Sequence, residues 1–127
     1  MLRLEKVNGK NVWDILKLSV LDSQKSFVAT NELSIIEAYC AITAKISKGN
    51  YNLWRLMIDK NYQHRGFGKE AVRLALDFIK TLPCRKAEYC WLSYEKENEI
   101  ARDLYASFGF EETGEKDGDE IIAALKL

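Results

Sequence analysis

A glycine loop between an apolar run and a helical pattern is the feature that most restricts the fold of this chain. The apolar run covers residues 53–58, a polar turn follows it, and Gly66-Phe-Gly68 leads into a segment with helical spacing. This order is typical of a strand, a loop and the start of a helix. It therefore predicts a fold in which strands alternate with helices.

Such a loop is suited to binding an anion. The start of a helix leaves backbone N–H groups without intrahelical partners and carries the positive end of the helix dipole, so a phosphate group is favoured there. Glycine keeps side chains away from the anion and allows backbone dihedrals that other residues avoid. An ordinary strand-to-helix turn is the alternative interpretation, and the loop by itself does not exclude it.

The bulk composition is that of an ordinary soluble protein. With 127 residues, 47% of them hydrophobic and 30% charged, we expect a single domain over residues 1–127. The 19 basic and 19 acidic side chains cancel, which argues against nucleic acid or a membrane surface as a partner. No apolar run approaches the ~18 residues of a membrane span, and the first residues lack the apolar core of a signal peptide, so we expect a cytoplasmic protein.

The cysteines and the histidine give no sign of a metal site or a thiol nucleophile. Cys40, Cys84 and Cys90 form no CxxC pair, and reduced thiols are expected in the absence of an export signal. The one histidine, His64, lies inside the glycine loop. We therefore expect no metal and no cysteine–histidine catalytic pair.

The hydrophobic periodicity predicts the remaining elements of a mixed α/β fold. Strands are predicted at residues 2–7, 51–58, 87–93, 110–115 and 120–126, with a turn at 116–118 between the last two. Helices are predicted from about Asn11, from Ser34 to Thr43 behind a capping box, from Gly68 to Thr81 before Pro83, and from Glu97 to Phe108 before a capping Gly109. The predicted buried faces of the last two helices are Ala71, Val72, Ala75, Leu76, Phe78 and Ile79, and Ile100, Ala101, Leu104, Tyr105 and Phe108.

A second motif follows the glycine loop about 30 residues later. It reads Asn98-x-x-Ala101-x-x-Leu104-Tyr105-x-x-x-Gly109-Phe110, which alone describes a helix with an apolar stripe and a glycine cap. Together with Gln63-His-Arg-Gly66-Phe-Gly68, it resembles the GNAT superfamily of acetyl-coenzyme-A-dependent N-acetyltransferases from about Tyr51 to the C-terminus. The resemblance implies a splayed mixed central sheet flanked by helices.

Shorter blocks narrow the resemblance. Phe27-Val-Ala-Thr-Asn31, Ser34, Glu37-Ala-Tyr39 and Trp54-Arg-Leu-Met-Ile-Asp59 are similar to segments of the bacterial spermine/spermidine acetyltransferases. This similarity implies a polyamine as the acetyl acceptor. Acidic residues would then line the acceptor channel, and Glu32, Glu37 and Asp59 are the candidates.

The resemblance also implies roles for individual residues. Backbone amides of the loop would hold the coenzyme A pyrophosphate, backbone groups of the preceding strand would pair with the pantetheine arm, and the Met57 N–H would polarise the thioester carbonyl. Asn98 would contact the cofactor near the thiol, and Tyr105 would protonate the departing thiolate. The implied cofactor-binding residues are Leu56, Met57, Ile58, Gln63, His64, Arg65, Gly66, Phe67, Gly68, Lys69, Asn98 and Tyr105, and the implied catalytic residues are Tyr105 and Met57.

The chain departs from the family pattern at two places. The strand before the loop lacks the glutamate that usually serves as the general base, so a water chain to Glu37 or another acidic residue could take its place. The same strand carries Arg55, which is expected to pair with a carboxylate rather than bind the substrate. Members of the family also carry a hairpin before this strand, whereas only seven residues separate Thr43 from Tyr51 here. Either the hairpin is absent or a stretch is missing from this sequence, and the second alternative is favoured.

The sequence thus predicts transfer of the acetyl group of acetyl-CoA to a primary amine of a small molecule, with a polyamine preferred, by direct attack in a ternary complex. Acetylation of a protein amine or an antibiotic amine is an alternative, and an inactive coenzyme-A-binding sensor is another. No nucleic-acid or membrane partner is expected, and the apolar last strand could serve a homodimer.

Overall fold

The computed structural model describes residues 2–27, 49–53, 55–83 and 85–127. The predicted helix from Ser34 to Thr43 and most of the connection that follows it lie outside these ranges. The helices are α1 (Val12–Leu16), α2 (Phe67–Lys80) and α3 (Glu99–Ala106), with short 3-10 helices at Asp22–Phe27 and Lys60–Tyr62. The strands are β1 (Tyr51–Asn52), β2 (Tyr89–Tyr94), β3 (Glu111–Asp117) and β4 (Glu120–Lys126).

The described strands form one mixed sheet in the order β1-β2-β4-β3. β1 runs parallel to β2, whereas β2 and β3 are both antiparallel to β4. β4 lies between β2 and β3. It pairs with β3 because the turn after Asp117 sends the chain back along that strand, with Gly118 in the left-handed region at φ 61°. The predicted mixed α/β class is confirmed.

The strand predicted over residues 51–58 is much shorter in the structure. Its ladder to β2 contains the pairs Tyr51↔Cys90 and Asn52↔Trp91, and the Leu53 N–H donates to the Trp91 carbonyl at 3.0 Å. Beyond Leu53 the described residues 55–59 belong to no strand, although β2 continues to Tyr94. The apolar run predicted the start of a strand at Tyr51, but an apolar pattern does not fix how far two strands remain paired.

The strand predicted at residues 2–7 is wrong. The segment has no strand assignment, and the side chains of Leu4 and Val7 are 53% and 57% exposed. Alternation of apolar and polar residues produces a strand only when a neighbour supplies hydrogen bonds and one face is buried. The helix predicted next is confirmed as α1, with Asn11 at its N-cap.

Two of the predicted core positions are also wrong. In α2 the buried residues are Val72, Leu76 and Ile79, while Phe78 is 54% exposed. Phe78 lies about 100° from Ile79 and about 160° from Leu76 around the helix, so it leaves the buried stripe. In α3 Tyr105 is buried, whereas Ile100, about 140° away from it around the helix, is 71% exposed.

The chain divides into two compact units. The first contains residues 1–48 and 55–75, and the second contains residues 49–54 and 76–127. Among the described residues, the buried apolar side chains of the first unit are Val20 and Val72; those of the second are Leu76, Ile79, Cys90, Leu92, Tyr94, Tyr105, Phe110 and Ala123. The single domain expected from chain length stays a prediction.

The described residues contain neither a membrane-spanning helix nor a cluster of metal-binding side chains. None of the helices in this part of the chain has the length and apolar character that a membrane crossing needs. The same residues hold no group of three or more histidine, cysteine or acidic side chains arranged to bind a metal ion.

Candidate active site

The glycine loop of the first unit has the backbone geometry of an anion cradle. α2 begins where the Glu70 N–H donates to the Gly66 carbonyl at 3.1 Å, so the N–H groups of the first turn have no intrahelical acceptor. His64 and Gly66 both lie in the left-handed region, at φ 58° and 80°. A Cβ at Gly66 would meet no atom within 4 Å, so the loop presents open backbone at this point.

Basic and aromatic side chains surround this backbone. His64, Arg65 and Lys69 are exposed, and the two charged side chains among them, Arg65 and Lys69, place positive charge around the start of α2. The Arg65 guanidinium carbon lies 5.7 Å from the centre of the Tyr62 ring, and this ring is 6.4 Å from the ring of Phe67. These contacts hold Arg65 by a cation–π interaction rather than by an acidic partner.

The side chain of Gln63 braces the loop. Its Nε2 donates to the Ile58 carbonyl at 2.8 Å and to Gln24 Oε1 at 2.9 Å. The first bond closes the turn between the extended segment and the loop, and the second ties the turn to the 3-10 helix Asp22–Phe27. Sequence reasoning missed Gln24, because nothing in the local pattern links residues 39 positions apart.

Asp59 is a structural carboxylate. One oxygen accepts from the Ser19 N–H at 2.9 Å, and the other accepts from the Asn61 N–H and the Asn61 Nδ2 at 3.0 and 2.9 Å. The bond from Ser19, followed by the bond from the Asn61 amide, lowers the pKa of this carboxyl below its usual value. The Lys60 N–H also donates to the Ser19 carbonyl at 2.7 Å. These bonds satisfy both carboxylate oxygens, so Asp59 is a poor candidate for the lining of a polyamine channel.

The segment before the loop contains Leu56, Met57 and Ile58, which are all half-buried. The Ile58 carbonyl accepts from Gln63, as described above. Within the described ranges, no hydrogen bond joins the Met57 N–H to another residue.

In the second unit, Asn98 caps α3. Its Oδ1 accepts from the Ala101 N–H at 3.2 Å, which satisfies one of the free donors of the first turn. The sequence predicted a contact between Asn98 and the cofactor, and the cap leaves the Asn98 amide nitrogen free to donate.

The end of α3 fixes the position of Tyr105. Gly109, at φ 94°, donates its N–H to the Ala106 carbonyl, and the Phe110 N–H donates to the Tyr105 carbonyl. These two bonds form a Schellman motif, whose apolar contact is the edge-to-face pair of Tyr105 and Phe110 with ring centres 5.9 Å apart. The predicted role of Gly109 as a helix cap is confirmed.

Tyr105 is enclosed by aromatic rings. Its side chain is buried, and its ring is stacked on that of Tyr94 at 6.1 Å and 29°. Burial raises the pKa of the Tyr105 phenol above its usual value. The phenol is therefore protonated at neutral pH and can donate to a ligand.

Sequence reasoning missed Tyr94 as a neighbour of Tyr105. Its hydroxyl donates to Glu112 Oε1 at 3.0 Å. Burial, followed by this acceptor and its negative charge, raises the pKa of Tyr94 to about 12. The sequence did contain a signal for Tyr94: every second residue of β2 faces the core, and Cys90, Leu92 and Tyr94 are the buried ones.

Two further candidate residues, Cys90 and Arg55, lie within the described ranges. Cys90 is a free, fully buried thiol, and burial raises its pKa to about 11, which makes it a poor nucleophile. Arg55 is exposed. Cys40, Cys84, Glu32 and Glu37 lie outside the described residues, so the general base stays a prediction. The loop residues belong to the first unit, and Asn98 and Tyr105 belong to the second.

Comparison with known proteins places this chain in a family. Residues 10–110 match the acetyltransferase (GNAT) family, and the chain belongs to that family. The chain is also 36% identical over 77 residues to the probable spermine N(1)-acetyltransferase of Bacillus subtilis subsp. natto (strain BEST195). That match covers 58% of this chain and 49% of the relative, so the chain matches about half the length of that protein.

Solved structures agree with the fold. A domain from Methanocaldococcus jannaschii DSM 2661 is similar with a TM-score of 0.70 and 13% identity, over 97% of this chain and 96% of that domain. The PaiA N-acetyltransferase from Thermoplasma acidophilum, in complex with coenzyme A, is similar with a TM-score of 0.53 and 24% identity, over 62% of this chain and 47% of that one. The predicted GNAT membership and fold class are confirmed.

Proposed function

We propose that this chain transfers the acetyl group of acetyl-CoA to a primary amine of a small molecule, with a polyamine as the preferred acceptor. The observation that carries the proposal is the open backbone of the glycine loop at the start of α2 in a chain of the GNAT family. The comparison with a PaiA acetyltransferase in complex with coenzyme A supports the choice of cofactor.

The glycine loop would bind the pyrophosphate of coenzyme A. The positive φ angles of His64 and Gly66 support this role, because left-handed residues in a turn can aim neighbouring N–H groups at one anion, as in an anion nest. The first-turn amides of Phe67, Gly68 and Lys69 would add to it, and the helix dipole favours the same charge. Exposed basic side chains would contribute long-range attraction to the phosphates rather than fixed contacts.

The extended segment before the loop would bind the pantetheine arm. An amide-bearing chain can add to an extended segment as an extra strand, using main-chain hydrogen bonds. Leu56, Met57 and Ile58 supply this segment, and the Met57 N–H would donate to the thioester carbonyl as negative charge develops on its oxygen. The Gln63 side chain would fix the angle between the segment and the loop, since it binds the Ile58 carbonyl.

Tyr105 would act as the general acid. The thiolate that leaves has a free pKa of about 8.5, and a phenol of pKa 10 or more donates to it uphill by at least about 2 kcal/mol. Donation therefore has to accompany cleavage of the C–S bond, when the sulfur charge is forming. The acceptor amine, with a pKa near 10.4, must lose a proton first, which costs roughly 4 to 5 kcal/mol at pH 7. The amine then attacks the thioester directly, and no enzyme-bound intermediate is needed.

The polyamine preference rests on the relative and on the short sequence blocks. The relative is named a probable spermine N(1)-acetyltransferase, and its identity of 36% extends over 58% of this chain. Two of the acidic residues proposed for the acceptor channel, Glu32 and Glu37, lie outside the described residues, and Asp59 is occupied by Ser19 and Asn61.

The test is release of free thiol from acetyl-CoA with spermidine, spermine, putrescine and a peptide with a free amine. We expect thiol release with the polyamines, and mass spectrometry should find one acetyl group per product molecule. Release with the peptide alone would favour the protein-acetyltransferase alternative. Coenzyme A binding by calorimetry without thiol release from any amine would contradict the enzyme and favour the sensor alternative.

A further inference from the structure

Tyr94 on β2, whose ring stacks on Tyr105 of α3, also forms a hydrogen bond to a carboxylate two strands away. The Tyr94 hydroxyl reaches Glu112 on β3, although β4 lies between β2 and β3. The ladder pairs Leu92 with Ala123 and Ala123 with Glu112, so the Tyr94 side chain crosses β4 diagonally to reach Glu112. Ala123, the β4 residue between Leu92 and Glu112, is almost fully buried and carries only a methyl group.

This bond restricts the Tyr94 ring at both ends. The backbone of β2 holds one end, and the hydrogen bond of 3.0 Å to Glu112 holds the other. A ring held in this way is a fixed surface for the ring that stacks on it, which belongs to Tyr105. Phe110 contacts Tyr105 edge-to-face, so two aromatic neighbours together fix the orientation of its phenol.

The position of Glu112 on β3 is itself well defined. Glu112 is the last residue of the regular ladder with β4 before an irregular stretch, after which pairing resumes at Lys116. Gly114 lies inside that stretch at φ 83°. The irregularity therefore begins beyond Glu112, and the register that holds its carboxylate near Tyr94 is that of the regular ladder.

We infer that Tyr94 and Glu112 are positioning residues for Tyr105: their hydrogen bond fixes the Tyr94 ring, and that ring aligns the Tyr105 phenol for donation to the leaving thiolate. The inference rests on the proposed function, because it assigns Tyr105 the role of general acid. Neither residue touches the substrates in this scheme. Small errors in the placement of a reacting group lower turnover strongly, so a loosened Tyr94 ring should reduce kcat.

The test compares two variants that break the same hydrogen bond from opposite ends. Tyr94→Phe keeps the ring and removes the donor, and Glu112→Ala removes the acceptor. We expect each to lower kcat for polyamine acetylation about tenfold, with the KM for acetyl-CoA changed by less than about twofold. The double variant should be no slower than either single variant, because the shared bond is already lost.

Three further variants separate positioning from general structural damage. Glu112→Gln keeps an acceptor and should restore kcat close to that of the wild type. Ser93→Ala removes a hydroxyl that donates to Glu120 at 2.5 Å from the other face of β2, and it should leave kcat unchanged. In a Tyr105→Phe background, Tyr94→Phe should cause no further loss, because the group that it positions is absent.

The outcomes distinguish failure of the inference from failure of the function. An active wild type whose kcat is unchanged by both Tyr94→Phe and Glu112→Ala would overturn the inference and leave the proposed function intact. The inference would also be overturned, with the function intact, if the fold-loss in kcat of the Tyr94→Phe/Tyr105→Phe double variant equalled the product of the two single losses. A wild type that binds coenzyme A but releases no thiol with any amine overturns the function, and the inference with it.

Discussion

The glycine loop of the first unit and the aromatic end of α3 in the second unit are built in opposite ways. The loop is held by polar bonds: Gln63 bonds to Gln24 and Ile58, and Asp59 bonds to Ser19. Tyr105 is held by apolar rings and by a helix cap, with its side chain buried.

The difference matches the role proposed for each region. An anion is bound by backbone N–H groups that remain open to solvent until the ligand arrives, so the support has to come from the side. A phenol that donates a proton needs a dry site, which keeps it protonated and excludes water. The comparison therefore predicts that changes in the loop act on acetyl-CoA affinity, whereas changes around Tyr105 act on turnover.

The largest effect is expected from Tyr105→Phe. Loss of a general acid lowers kcat by about 10²-fold or more, while the ring and its two aromatic contacts remain. The Kd of acetyl-CoA, measured by calorimetry, should change by less than about threefold, because the ring that is retained preserves the packing. An equal loss of affinity would show that Tyr105 is structural, and the contrast between the two regions would break.

The next effect is expected from Gly66→Ala. Its φ of 80° costs a residue with a Cβ about 1–2 kcal/mol, and the added methyl group would stand in the open space proposed for the pyrophosphate. We expect acetyl-CoA to bind about tenfold more weakly, which corresponds to about 1.4 kcal/mol. Gly114→Ala is the matched control, since Gly114 has φ 83° and the same open space. Equal losses of affinity in both variants would mean that backbone strain, not the site, is responsible.

A smaller effect on affinity is expected from the brace between Gln63 and Gln24. Gln63→Leu and Gln24→Leu each remove the side-chain bond of 2.9 Å, worth about 1 kcal/mol. We expect the KM for acetyl-CoA to rise about fivefold in Gln24→Leu and further in Gln63→Leu, which also loses the bond to the Ile58 carbonyl, with kcat almost unchanged in both. The double variant should lose less than the sum of the two free energies, because both remove one shared bond. A fall in kcat at constant KM would contradict the division of roles.

The smallest effect concerns stability and pH. The pKa of Asp59 is lowered in the folded protein, so its contribution to stability is fully present above the unfolded pKa of about 3.9 and is lost as the pH falls through the lower folded value. Asp59→Asn keeps a cap oxygen but loses the charge. We expect its Tm to lie below that of the wild type at neutral pH, and the difference to shrink on acidification below about pH 4. A difference that is independent of pH would show that the charge of Asp59 does not stabilise the loop.

Most of the local structure could be predicted from the sequence. α2 and α3 lie within two residues of their predicted bounds, and Gly109 caps α3 as expected. Helices with a clear apolar face and clear capping residues are determined by residues a few positions apart, which is why they can be predicted from the sequence. The strand predicted at residues 2–7 and the length of β1 were wrong because strand formation depends on a partner elsewhere in the chain.

The residues of the candidate site also fall into two groups, those proposed from the sequence and those seen only in the structure. The glycine loop, Asn98 and Tyr105 were found from motif spacing, whereas Gln24, Tyr94 and Glu112 were not. Tyr94 and Glu112 are 18 positions apart, and Gln24 and Gln63 are 39 positions apart. Neither separation leaves a periodic signal in a single sequence.

The sequence by itself therefore determined the family and the helices α2 and α3, and it located the glycine loop proposed to bind an anion, because each rests on residue types at short, fixed spacings. The tertiary structure alone decided which side chains hold those elements in place. It tied Gln63 to Gln24, and it laid the Tyr94 ring across β4 to Glu112. These contacts depend on strand order and register, which arise only when distant segments pack together.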